Sequence, residues 1–144
     1  MFLNKINVSL MLAIFCNFAY AQIEANEFKS NNITINSGSI EIEKKSNKIF
    51  FNNGVRVVTS KFSIEASEAI FNKINRIVSV YGKPSKIRST AKDNYFSGSA
   101  NKIIFSETDK IQLIGNATIS YDDLNISSNE IIFNTRNGQV LSDN

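Results

Sequence analysis

The amino-acid sequence predicts an all-β domain built from repeated antiparallel strand pairs. Isoleucine, valine, phenylalanine, threonine and tyrosine occupy most apolar positions, and these residue types favour strands over helices. Apolar and polar residues alternate at 62–67 and at 117–122, which is the period of a half-buried strand. A short pattern also recurs along the chain, as ASEAIF at 66–71, ANKIIF at 100–105 and SNEIIF at 128–133.

Each complete copy of this pattern is followed by a second strand. The strand IVSVYG at 77–82 follows the first copy, and IQLIGNA at 111–117 follows the second, while the third copy lies close to the C-terminus. The glycines at 54, 82 and 115 are therefore 28 and 33 residues apart. Such a period indicates one supersecondary unit, here a strand pair, that stacks on its neighbours to share a core.

Residues 1–21 are predicted to be a cleaved signal peptide, and residues 22–144 a single domain. Lys5 precedes an apolar run at 8–18, and Ala19-Tyr20-Ala21 has the small-x-small pattern of a cleavage site. The run is shorter than the ~20 residues of a membrane span, although an uncleaved anchor is the alternative. The one cysteine, Cys16, lies in this leader, so the domain would have no disulfide. Secretion without disulfides fits a bacterial envelope compartment.

Turn-forming residues divide the domain into about a dozen or more short strands. Clusters of Asn, Asp, Gly and Ser predict turns at 36–38, 52–54, 72–75, 107–109, 122–123 and 137–138. Pro84 cannot donate a ladder hydrogen bond, so we expect it to end a strand or to lie at an edge. Residues 26–31 are expected to form a helical turn at most. The terminal segments at 32–43 and 130–141 are expected to be the edges of the sheet.

The composition argues against catalysis and against a cofactor. The chain has no histidine, and its only cysteine lies in the leader, so neither a Ser-His nor a Cys-His nucleophile can be assembled. A zinc site is not expected for the same reason. Asp122 and Asp123 lack the spacing of a calcium loop and are expected to be solvated turn residues. The net charge of +3 is small and its charges are well mixed, so nucleic acid is not an expected partner.

Several segments, taken in order, resemble the OstA-like domain of the LptA family, the periplasmic component of the lipopolysaccharide-transport bridge. The segments are IFFNNGVRV at 49–57, FSIEASEA at 62–69, VYGKP at 80–84 and IQLIGNA at 111–117. The resemblance implies a twisted open β-jellyroll in the periplasm, whose apolar interior shields the acyl chains of lipid A. It also implies head-to-tail assembly by edge-strand pairing, both with further copies and with inner-membrane and outer-membrane transport components.

A carrier of acyl chains needs an apolar trough, because each CH₂ withdrawn from water is worth about 0.8 kcal/mol. Alternate side chains of a β-jellyroll point inward and can line such a trough. Given the resemblance, the candidate lipid-groove residues are Ile35, Ile42, Phe51, Val57, Phe62, Ile64, Phe71, Val80, Phe105, Leu113, Ile119, Ile126 and Phe133. Any β-sandwich would use most of them as core, which is the alternative interpretation for each.

Basic residues near the mouth of the groove could meet lipid phosphates, or could be ordinary solvated surface; they are Lys48, Arg56, Lys61, Arg76, Lys83, Lys86 and Arg88.

Two other functions stay open. The first is an inner-membrane-tethered partner in the same bridge, which would keep its N-terminal helix. The second is a structural β-repeat of the adhesin type, which should show a more regular repeat than spacings of 28 and 33 residues.

Overall fold

The computed structural model describes residues 26–143, and this part of the chain contains ten β-strands and no helix. It accordingly offers no helix that could cross a membrane. The predicted signal peptide at 1–21 lies outside the described residues. The all-β prediction is confirmed, with strands β1 (Asn26–Ser30), β2 (Ile33–Glu43), β3 (Lys48–Val58), β4 (Phe62–Ala66), β5 (Glu68–Asn72), β6 (Val78–Ser89), β7 (Phe96–Phe105), β8 (Lys110–Tyr121), β9 (Leu124–Asn134) and β10 (Val140–Asp143).

All ten strands belong to one antiparallel sheet in the order β1-β2-β3-β4-β6-β7-β8-β9-β10. The short strands β4 and β5 share the place between β3 and β6. Strand β4 pairs with residues 55–58 of β3, and β5 pairs with residues 48–51. The two halves of β3 therefore have different neighbours, and the same holds for β6 on the other side.

Bulges at the middle of the long strands fold the sheet along one line, which we name the crease. Register shifts fall at 37–39 on β2, 81–85 on β6, 99–102 on β7 and 114–117 on β8. A bulge bends its strand and increases the local twist, so aligned bulges bend the whole sheet. The three glycines that mark the sequence repeat lie on this line, and Gly54 and Gly115 have φ of 81° and 80°, which glycine adopts without strain.

The crease divides the sheet into two layers that face each other. Layer A consists of β1, β4 and the half-strands 33–37, 55–58, 85–89, 96–99, 117–121 and 124–128. Layer B consists of β5, β10 and the half-strands 39–43, 48–52, 78–81, 102–105, 110–114 and 130–134. Aromatic rings meet across the gap between layers, with centroid distances of 5.5 Å for Phe28–Phe51, 5.1 Å for Phe62–Phe105 and 4.7 Å for Phe96–Phe133. The two layers thus share a single core.

The outer faces of the two layers differ in polarity. The outer face of layer A is almost entirely polar. Across layer B the pairing register instead aligns an outward row in which the polar Ser79 and Gln112 alternate with apolar side chains. The apolar members are the half-buried Phe50, Ile70, Ile104 and Ile132 and the exposed Leu141. All of these apolar positions except Leu141 are the middle residues of the IFF, AIF and IIF triplets in the sequence.

The expectation of a dozen or more short strands is wrong, because two predicted turns are bulges within long strands. Residues 36–38 lie inside β2 and residues 52–54 lie inside β3, where Asn53 and Gly54 adopt positive φ without reversing the chain. Pro84 also lies within a strand, β6, at the register shift between Tyr81 and Ser85. The ladder is interrupted there, so the missing N–H of proline breaks no pair. The turns at 107–109, 122–123 and 137–138 are confirmed.

The expectation for residues 26–31 is also wrong, because Asn26–Ser30 is strand β1. It pairs with residues 33–37, and the ring of Phe28 packs on Phe51 and Phe71 of layer B. The terminal edges are likewise more complex than expected. Strand β1 covers one half of β2, and β10 pairs with residues 130–133 of β9, which leaves the other half of each strand at an edge.

Candidate functional site

The apolar interior between the two layers contains most of the predicted lipid-groove residues. Eleven of them are 4% exposed or less and belong to the one hydrophobic core: Ile35, Phe51, Val57, Phe62, Ile64, Phe71, Val80, Phe105, Leu113, Ile119 and Phe133. The structure adds further core members that strand alternation could have found, since Ile103, Ile111 and Ile131 each stand two residues before a predicted position. Phe28 gave no such signal, because its segment does not alternate.

Ile42 and Ile126 are the two candidates that are not buried. Ile42 is 60% exposed, and Ile126 is partly buried against the core. Ile42 pairs with the buried Ile49 and so stands in an inward-facing row. It is exposed because β2 is the last strand of layer B on this side, where no further strand covers it. Ile42 thus points toward the interior as expected but is not part of the closed core, and its role in a lipid groove stays a prediction.

Each end of the sheet has one half-strand whose outer edge has no ladder partner among the described strands. Residues 39–43 of β2 pair only with β3, and residues 124–127 of β9 pair only with β8. Both half-strands carry apolar side chains that are half-buried or exposed, Ile40 and Ile42 on the first and Leu124 and Ile126 on the second. The apolar interior therefore extends to both open ends of the molecule.

Opposite the crease, the turns of layer A face the turns of layer B across a gap that we name the mouth. Asn31 donates a hydrogen bond of 2.8 Å to Glu107 Oε1, and Arg76 donates to the same oxygen through Nε at 2.8 Å and Nη2 at 2.6 Å. Arg76 Nη2 also lies 3.0 Å from Ser30 Oγ. Lys61 of layer A forms an ion pair with Asp109 of layer B. Polar contacts thus tie the two layers together at the mouth.

A hollow of about 550 Å³ lies at the mouth beside these contacts. Polar turn residues form most of its wall, including Asn31, Lys61 and Glu107. The core residues Ile33 and Phe62 also line it. The apolar interior therefore lies directly behind the polar contacts of the mouth.

The cations at the mouth lower the pKa values of both carboxyl groups there. Hydrogen bonds from Arg76 and then from Asn31 hold the pKa of Glu107 below its usual value. A hydrogen bond from Lys61, followed by the charges of Lys61 and Arg136, lowers the pKa of Asp109. Both groups are therefore carboxylates at neutral pH, and the mouth contacts are charge-assisted.

The structure divides the basic residues that were expected at the groove mouth. Lys61 and Arg76 lie at the mouth, in the ion pairs with Asp109 and Glu107. The others are distributed over the surface: Lys48 begins β3 in layer B, Arg56, Lys86 and Arg88 project from the outer face of layer A, and Lys83 lies at the crease. Within residues 26–143 no group of three or more potential metal-ligating side chains occurs.

Comparison with known proteins identifies the family. A family model described as LptA/(LptD N-terminal domain) LPS transport protein matches residues 22–139. A search of the curated proteins returned no match. Among solved structures, that of LptH, the LptA-homologous periplasmic component of the conserved lipopolysaccharide transport device from Pseudomonas aeruginosa, aligns with a TM-score of 0.68 and 17% identity, over 76% of this chain and 80% of that chain.

The structural likeness confirms the expected fold, a twisted β-jellyroll. The family model covers most of the sequence, including every strand from β1 to β9. The chain therefore belongs to the family of LptA and LptD N-terminal domain lipopolysaccharide-transport proteins.

Proposed function

We propose that this protein is a periplasmic module of a lipopolysaccharide-transport bridge and that it shields lipid A acyl chains between its two layers. The observation that carries the proposal is the single apolar interior, which both layers share and which stays apolar as far as both open ends. Removing many CH₂ groups from water requires such a continuous surface, at about 0.8 kcal/mol for each group. Membership of the transport family supports lipopolysaccharide as the cargo.

Acyl chains can reach this interior only if the layers separate, because its side chains are already buried against one another. At the crease the layers are continuous through the backbones of the long strands, so they cannot part there. At the mouth only side-chain contacts such as Asn31–Glu107 and Lys61–Asp109 hold them. We therefore expect acyl chains to pass through the mouth, beside the hollow lined by Ile33 and Phe62.

The two ends of the sheet are complementary, which supports head-to-tail assembly. At the first end, layer A finishes in the short strand β1 and layer B in the open half-strand 39–43. At the second end, layer A finishes in the half-strand 124–128 and layer B in the short strand β10. Stacking one molecule on the next would place a short strand against an open half-strand in both layers. Backbone hydrogen bonds would then join the two sheets, as in β-strand addition.

Further copies, and the inner-membrane and outer-membrane components of the bridge, are the partners that this pairing would accept. Ile40 and Ile42 of one molecule would then lie near Leu124 and Ile126 of its neighbour. The apolar surface would continue from one module to the next without a polar break. Such continuity would let a lipid move along the bridge without exposing its chains to water.

Photo-crosslinking in cells tests the carrier function directly. A photoreactive residue replaces Phe62, Phe105 or Leu113, and the exported protein is blotted for lipopolysaccharide. A lipid-shifted band is expected at these interior positions. The matched control is Gln112, which neighbours Leu113 on the same strand but belongs to the outer face of layer B. Absence of an adduct at all three interior positions in folded, exported protein would rule out the carrier function.

A further inference from the structure

The outer face of layer A, which the proposed function does not use, presents two rows of polar side chains. Strand pairing aligns the first row as Asn36, Arg56, Glu65, Lys86, Ser99, Thr118 and Ser127. It aligns the second as Thr34, Val58, Ser63, Arg88, Ser97, Ser120 and Asn125. Every member except Val58 is polar, and most are short hydroxyl or amide side chains.

Three cations stand close together in these rows around a hollow of about 390 Å³. Arg56 and Lys86 flank Glu65 on neighbouring strands, and Arg88 lies one row away on the strand of Lys86. None of the three forms an ion pair with a described carboxylate, in contrast to Lys61, Arg76 and Arg136 at the mouth. Three cations beside one carboxylate leave a positive surplus that is free to bind an anion.

A second hollow, of about 870 Å³, lies along the crease and adjoins the first, since Pro84 and Ser99 line both. Its lining combines the aromatic ring of Tyr81 with the amides of Asn101 and Asn116 and the carboxylate of Glu68. Lys83 contributes a further cation. The ammonium group of Lys102 lies 5.3 Å from the centroid of the Tyr81 ring, a cation–π contact that restrains the ring.

These groups together match the chemistry of a sugar chain. Hydroxyl and amide side chains both donate and accept hydrogen bonds, as sugar hydroxyls do, and carboxylates accept them. An aromatic ring with a polar tip offers an apolar surface to the C–H face of a sugar ring. Arg56, Lys83, Lys86 and Arg88 outnumber Glu65 and Glu68, so a glycan that carries negative groups is favoured over a neutral one.

We infer that the crease and the outer face of layer A form a binding site for an anionic glycan, a sugar chain with carboxylate or phosphate groups. Tyr81 packs against a sugar ring, Asn101 and Asn116 bind its hydroxyls, and Lys86 and Arg88 bind its negative groups. The site lies on the opposite side of the molecule from the mouth. A glycan bound there is separate from the acyl chains in the interior, so the module can hold a lipid and a glycan at the same time.

Isothermal titration calorimetry of the exported protein tests this site with three probes. Soluble peptidoglycan fragments supply carboxylates, deacylated lipopolysaccharide oligosaccharide supplies phosphates, and dextran is the neutral control. At least one anionic probe is expected to bind, and dextran at least about tenfold more weakly, because a hydrogen bond to a charged group is stronger than one between neutral groups. The anionic probe that binds identifies the source of the glycan.

The double variant K86Q/R88Q is expected to weaken binding by about tenfold or more. Y81A should weaken it at both low and high salt, because stacking is not screened. K44Q/K45Q is the matched control, since it removes the same charge from the exposed β2–β3 turn and should leave affinity unchanged. The proposal is overturned if neither anionic probe binds, if K86Q/R88Q binds like the wild type, or if K44Q/K45Q loses as much affinity.

Lipid crosslinking from Phe62 in the K86Q/R88Q variant separates this site from the carrier function. The glycan site predicts lost glycan binding with an undiminished lipid adduct. If the variant loses both the lipid adduct and glycan binding, the two cations serve the lipid, and this result would contradict a separate site.

Discussion

Phe62 of layer A and Phe105 of layer B meet edge to face across the interior, with ring centroids 5.1 Å apart and ring planes at 88°. Their strands, β4 and β7, are not adjacent in the sheet, since β6 separates them. The contact therefore exists only because the crease folds the sheet onto itself. Phe62 also lines the hollow at the mouth, so this pair lies where the two layers would first separate.

Truncating one ring of this pair should destabilise the fold strongly. We expect Phe105→Ala to lower the free energy of unfolding by about 3–5 kcal/mol, because the side chain is 2% exposed and its removal leaves a cavity. Urea denaturation measures the change. Ile74→Ala is the control, since Ile74 is 75% exposed and should change stability by no more than about 0.5 kcal/mol. Similar losses in both variants would contradict a packed interface between the layers.

Replacing either of two buried serines with alanine should change the free energy of unfolding, in opposite directions for the two positions. Ser85 Oγ is buried and has no hydrogen-bond partner within residues 26–143, whereas Ser37 Oγ donates a hydrogen bond of 2.9 Å to the carbonyl of Ser39. We expect Ser85→Ala to raise the free energy of unfolding by about 1 kcal/mol, because an unsatisfied hydroxyl is removed. Ser37→Ala should lower it by about 1 kcal/mol. A decrease of equal size in both variants would show that Ser85 finds a partner in solution.

The two carboxylates at the mouth should make the protein less stable in acid. The pKa values of Glu107 and Asp109 are lowered by Arg76 and by Lys61, respectively. A group with a lowered folded pKa contributes stability above its unfolded pKa of about 4 and loses that contribution as the pH falls through the folded value. The urea concentration at which half of the wild-type protein is unfolded should therefore decrease as the pH is lowered from neutral to acid.

The double variant Glu107→Gln/Asp109→Asn should show a smaller fall in the urea midpoint over the same pH range. High salt should reduce the difference between variant and wild type, because both carboxylates lie at the surface. Glu65→Gln is the control, as Glu65 forms no ion pair in the described structure. An equal pH response in wild type and double variant would mean that the mouth contacts contribute nothing to stability.

Strand content and the buried face could be predicted because alternation and the recurring IIF-type triplets report local burial. Eleven of the candidate groove positions, among them Phe51, Leu113 and Phe133, point inward as expected and are buried in the core. The crease could not be predicted, since Asn53-Gly54 is as compatible with a hairpin turn as with a bulge. Only the pairing of β2 with β3 along its full length decides between the two.

Strand β1 and the exposure of Ile42 were missed for a different reason. The position of Phe28 depends on Phe51 and Phe71, which are 23 and 43 residues away in sequence, so local pattern carries no trace of it. Ile42 follows the same alternation of apolar and polar residues as the core positions do. Its exposure depends on which strand ends the layer, and that is a property of the whole topology.

A charged residue at position 42 should block assembly without unfolding the protein. Ile42 is 60% exposed on the open half-strand of β2, where the proposed neighbour would cover it, so Ile42→Asp costs little in the isolated molecule but would bury a charge in the assembly. We expect wild-type protein to associate with rising concentration in sedimentation velocity, and Ile42→Asp to associate at least tenfold more weakly.

The matched control for this experiment is Ile74→Asp, which places the same charge on an even more exposed isoleucine in the β5–β6 turn, away from both ends of the sheet. It should associate like the wild type, and circular dichroism should show that both variants are folded. Equal association of Ile42→Asp and wild type would place the contact elsewhere on the molecule. A wild type that stays monomeric at every concentration would contradict head-to-tail self-assembly and leave pairing to other components of the bridge.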